Sequence, residues 1–165
     1  MLSIGRSATQ KLAAILAAGN GLPAAVEALT TQHSLTLPQI GPQQIVPQNV
    51  AAEIAEKSVS SKYPLVYVYC SKLVNDLREK FRTFSGDAQM AAEARVSQDR
   101  LDDLESNLQI YVDAITSVLD GNRGDWGDGF FYGGGYEVTF GKVKHGGRNF
   151  LQTAEIRFDL EVSAD

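Results

Sequence analysis

The sequence predicts an α+β protein: a mainly antiparallel sheet of four to five strands packed by one long helix, with N-terminal helices and an extended proline-containing arm. Three observations predict it. In Thr153–Val162, Ala154, Ile156, Phe158, Leu160 and Val162 alternate without a break with Thr153, Glu155, Arg157, Asp159 and Glu161. Period two over ten positions makes a half-buried strand, apolar on one side and polar on the other. Leu101, Leu104, Leu108, Tyr111, Ile115 and Val118 follow steps of three and four, the spacing of a helix face. Short turns between the strand-like segments favour antiparallel pairing, with the helix on the apolar face of the sheet.

In chain order, residues 1–33 read as a helical lead-in, 34–62 as an extended arm or loop, and 63–165 as the sheet and long helix. Leu12, Ile15 and Leu16 share a face of a helix over residues 8–18 that Gly19 closes. A second helix begins near Pro23, a residue suited to a first turn, with Leu22, Val26 and Leu29 on its apolar side. Pro38, Pro42 and Pro47 leave little room for regular structure between Ser34 and Asn49, and Val50–Ser58 fits one or two helical turns capped by Asn49.

Pro64–Cys70 is β-branched and aromatic, hence a strand with both faces largely covered, and Lys80–Phe84 reads as another, turning at Ser85-Gly86-Asp87. Residues 88–97 divide the signals: their alanines favour helix, while Met90, Ala92, Ala94 and Val96 alternate as in a strand. Strand is preferred because the segment follows a turn. Ser97 or Asp99 is the expected cap of the long helix and Gly121 its end. The glycine-rich span 121–135 follows. Tyr136, Val138 and Phe140 then alternate into a strand, and His145-Gly146-Gly147 turns the chain into the last one.

At 165 residues with 44% hydrophobic and 21% charged residues, the chain has the composition of an ordinary globular domain. Its net charge of −5 argues against a phosphate-binding surface as the main feature. Cys70 is alone, which suits a cytosolic folding site. Arg6 and Lys11 before Leu12–Ala18 have the outline of a secretion signal, but the apolar run is minimal and stops at Gly19-Asn20-Gly21, so an amphipathic helix is preferred. No run approaches the ~20 apolar residues of a membrane helix.

Chemistry is harder to find. His33, His145 and Cys70 are too few and too far apart for a zinc site, so no metal, cofactor or catalytic residue is expected. Asp120–Asp125 fails the calcium-loop pattern, and Gly127, Gly129 and Gly133 are misplaced for a dinucleotide fingerprint. In the glycine-rich span, Trp126, Phe130, Phe131 and Tyr132 are read as exposed anchors for another protein, because aromatic side chains are favoured at interface hot spots.

The order and texture of these elements resemble those of the tail-terminator (tail-completion) proteins of long-tailed bacteriophages. The likeness runs over Tyr63–Tyr69, a polar hairpin ending in Ala94-Arg95-Val96-Ser97, the helix holding Tyr111–Ile115, a variable loop, and the closing strand Ala154–Val162. It implies an α/β sandwich and a non-enzymatic virion protein assembled in the host cytoplasm. Copies form a ring, by the resemblance a hexamer, on the last ring of the tail-tube protein. The ring ends tube growth and offers a surface to a head-side neck or connector protein, and DNA is present only in transit. The arm at 34–49 departs from the pattern: either it reaches a neighbouring subunit or the resemblance does not extend to it. Competing readings are another neck, connector or minor tail protein, and a small α+β ligand-binding module or enzyme.

Overall fold

The structure is a computed structural model that describes residues 3–51, 63–146 and 149–165. Among the described residues, three α-helices, α1 (Ile4–Ala17), α2 (Leu22–Gln32) and α3 (Leu104–Asp120), cover one face of a curled, mostly antiparallel sheet. The described strands are β1 (Ile45–Val46), β2 (Leu65–Asn75), β3 (Phe84–Gln98), β4 (Gly124–Gly127), β5 (Phe130–Tyr132), β6 (Glu137–Phe140), β7 (Lys144–Gly146) and β8 (Asn149–Ala164). Their order is β1-β2-β3-β8-β5-β4, with β6 and β7 also paired to β8. Eight strands thus stand where four to five were expected. The surplus is in short pieces. β8 is long enough for β7, β6 and β5 to share one of its edges, while β3 lines the whole of the other.

Alternation builds the core as the sequence foretold. Ala154, Ile156, Phe158 and Leu160 of β8 are buried against Ala94, Ala92, Met90 and Ala88 of β3, their register partners, and Val162 and Val96 join the same cluster. Residues 88–97 are therefore strand: pairing on both edges overrides the helix propensity of their alanines. Ala8, Leu12 and Leu16 of α1, Val26 of α2 and Leu108, Ile115 and Leu119 of α3 complete the same cluster. Each fully buried Leu, Ile or Phe contributes about 1.5–3 kcal/mol.

Several expectations need correction. The strand expected at Lys80–Phe84 keeps only Phe84, and Ser85, Gly86 and Asp87 lie inside β3 instead of in a turn. The reversal happens earlier because the Asn75 side chain closes it: Oδ1 accepts the Ser85 amide at 3.0 Å and the Leu77 amide at 3.4 Å. Leu77 and Phe81 take left-handed φ of 50° and 66° within that connection.

The long helix starts at Leu104, later than expected, and neither Ser97 nor Asp99 caps it; the capping position is Asp103, with φ 63° and no side-chain bond. β3 runs on to Gln98, so residues 99–103 are used to bring the chain back over the sheet. Gln98 organises that return, receiving the Asn107 amide at 2.8 Å and donating to the Arg100 and Asp102 carbonyls. Leu101, the expected first member of the stripe, is left 57% exposed.

The proline segment at 34–49 is not a free arm. Ile40 and Ile45 belong to the core, the Tyr111 hydroxyl donates to the Pro38 carbonyl at 2.6 Å, and β1 pairs in parallel with β2 at Val66 and Tyr67. Apolar residues between the prolines bind the segment to its own domain. The helical turns expected at Val50–Ser58 lie almost wholly outside the described residues, as does Gly147 of the last turn.

Candidate interaction surfaces

The glycine-rich span folds into the β4–β5 hairpin, and this reverses the exposure expected of its aromatic residues. Phe130 and Tyr132 are fully buried and Trp126 is half-buried; Phe131 alone, at 46%, faces outward. Trp126, Tyr132 and Phe158 form a box with ring centroids 5.1–6.1 Å apart. The indole N–H donates to the Asn122 carbonyl at 2.7 Å. From α1, the Lys11 ammonium sits 5.6 Å from the Phe130 ring centre and donates to the Trp126 carbonyl and to Asp128 Oδ2, at 3.0 and 2.9 Å. At the tip, Gly129 holds φ +85°, and a Cβ there would stand 1.9 Å from the Ser163 carbonyl oxygen. The glycines let a tight hairpin lie against β8.

The sheet face away from the helices carries the charge. Register places Asp87, Glu93, Glu137, Glu155, Asp159 and Glu161 on it, six carboxylates against Lys72, Arg95 and Arg157. Glu93 and Glu155 are cross-strand partners, a repulsive placement relieved by Arg95 Nε on Glu93 at 3.0 Å and Arg157 Nε on Glu155 at 2.5 Å. The hydrogen bond to Glu155, then its charge, holds the Arg157 proton more tightly than usual. Arg95 is 1% exposed; it stacks on Tyr67 with its guanidinium carbon 3.9 Å from the ring centre and also donates to the Val50 carbonyl. Beside them, burial and then Glu155 and Glu93 push Tyr69 up to about 12.

A third surface is the β2–β3 connection, residues 76–83. Phe81 is 99% exposed and Leu77 60% exposed, yet the backbone that carries them is pinned. Arg78 bonds both Asp76 and Asp87, Arg82 bonds Asp165 and approaches Glu79, and Ser85 Oγ accepts the Glu79 amide at 3.0 Å. The bonds to Asp87, then Asp76, raise the already high Arg78 pKa. Sequence reasoning missed Phe81 by absorbing it into a strand. Its signal was composition: one phenylalanine within Arg78-Glu79-Lys80-Phe81-Arg82, where a charged surface would otherwise be continuous.

Among the described residues no group of three or more His, Cys, Asp and Glu is placed to hold a metal ion, and no single helix is long and apolar enough to cross a membrane. No protein-family model and no curated protein matches the chain, so its functional reading rests on the residues and surfaces described above.

Proposed function

We propose that this chain is a non-enzymatic bacteriophage virion protein that caps the tail tube. It ends tube polymerisation and joins the tail to the head as a ring of copies, by the resemblance a hexamer, through which DNA passes. The observation that carries this reading is Phe81, an almost fully exposed aromatic ring on a connection braced by ion pairs. A ring of identical subunits needs head-to-tail contacts that close. Such contacts draw their energy from a few apolar anchors already held in place, since ordering a loop on binding is costly. The acidic sheet face adds a second support: turned toward the bore, it keeps DNA phosphates from adhering in transit.

Solution mass by light scattering, with negative-stain imaging of the protein alone and on tube ends, tests this directly. Closed rings are expected, and Phe81→Ser should weaken association at least about tenfold. A monomer at every concentration that also leaves tube ends bare sinks the proposal. In particles lacking the protein, overlong tails are expected; tails of normal length would assign the chain to the head side of the neck instead.

A further inference from the structure

Among the described residues, the outer edge of β2 is open beyond its first few positions. β1 pairs with it only at Val66 and Tyr67. The next residue, Pro47, has no N–H to extend the ladder, and the Gln48 amide bonds back to the Val46 carbonyl at 2.9 Å, turning the chain off the edge. Beyond that point no described strand pairs with the outer edge of Val68–Asn75. A groove of about 680 Å³ occupies the gap, between α1 and the edge. α1 lies close to the edge at Gly5, where a Cβ would make ordinary contact with Leu73 and Cys70 at 3.8–3.9 Å.

The groove has a sign. Among the described residues its lining contains no Asp or Glu, although the chain carries a net charge of −5. Arg6 and Lys72 stand exposed on its rim, and neither is ion-paired to a described residue. Between them lie the hydrogen-bonding side chains of Thr9 and Gln10 and the apolar surface of Tyr69 and Leu73.

We propose that this groove receives an extended, acidic peptide segment of a partner protein, added as a strand beside β2. Backbone hydrogen bonds to the open edge provide affinity, and alternate side chains of the segment enter the groove. The parallel register begun by β1 sets the incoming residues opposite Val68–Cys70, and Arg6 and Lys72 meet the carboxylates. The bulge at Ser71 limits the added strand to a few residues and discourages longer edge-to-edge pairing. The proposal does not depend on ring formation.

The test uses the full chain and a fluorescein-labelled octapeptide of alternating valine and glutamate, read by anisotropy. Saturable binding is expected. A peptide with lysine in place of glutamate, and one N-methylated on alternate amides, should each bind at least about tenfold more weakly. The double variant R6E/K72E should lose the acidic peptide by a similar factor; both sites are exposed, and an unchanged thermal melt confirms the fold. Absence of saturation up to about 1 mM overturns the proposal. So does equal binding of the N-methylated peptide, which reduces the effect to charge alone. A self-associated protein that R6E/K72E dissociates would assign the edge to a second copy and overturn it equally.

Discussion

Two hairpins in this molecule carry aromatic residues near their tips and use them in opposite ways. The β4–β5 hairpin turns Phe130 and Tyr132 into the core and is held by packing, with Lys11 clamping its backbone from α1. The β2–β3 connection turns Phe81 and Leu77 to solvent and is held by Asn75, Arg78 and Arg82, which leave its apolar side chains uncovered. Glycine-rich composition was the wrong guide to exposure. Glycine permits a tight turn, and a tight turn can bring its neighbours against a sheet as readily as it can present them. Charged residues around a lone phenylalanine were the better guide, because a solvated rim supplies no apolar neighbour to bury it.

The comparison can be broken most directly at Phe130. Phe130→Ala removes a fully buried ring and should cost about 3–5 kcal/mol in urea unfolding; a loss under about 1 kcal/mol would mean the hairpin is peripheral to the fold.

Alkaline titration sharpens it. Burial pushes Tyr111 up to about 12, and Tyr69 up to about 12 with help from Glu155 and Glu93. Burial, then Asp120, raises Tyr132 in the same direction. These folded pKa values lie above the ordinary 10.0, so the stabilisation is complete below pH 10 and is lost as pH rises toward 12. Thermal melts should hold level up to about pH 10 and fall beyond it. Tyr111→Phe should flatten part of that fall, while costing about 1 kcal/mol at neutral pH through the lost bond to Pro38.

The smallest effect belongs to the exposed tip. Phe81→Ser should change the stability of the isolated chain by no more than about 0.5 kcal/mol, since its ring touches little. A large loss would show that Phe81 supports its own connection and is not held out for a partner.

Period was legible wherever it was long. β8 and α3 extend over many residues of one repeat, and both were placed from the sequence with errors only at their ends. Ends were missed where one side chain made the decision, as Asn75 closes the β2–β3 reversal and Gln98 delays α3. The short strands β4, β5 and β7 carry too few residues to show a repeat; β5 and β7 exist because β8 offers them an edge, and β4 pairs in turn on β5. The proline segment misled for a related reason: prolines forbid regular structure, but they say nothing against Ile40 and Ile45 entering a core.

What the chain determined by itself is its local geometry. Alternation and steps of three and four follow from backbone sterics and appear wherever one side of an element is apolar. Only the tertiary structure decided which aromatics are covered, where the charged face lies and which strand edge stays open. Those outcomes depend on partners far apart in sequence, such as Lys11 with Asp128 or Gly129 with Ser163, and no local pattern encodes such meetings.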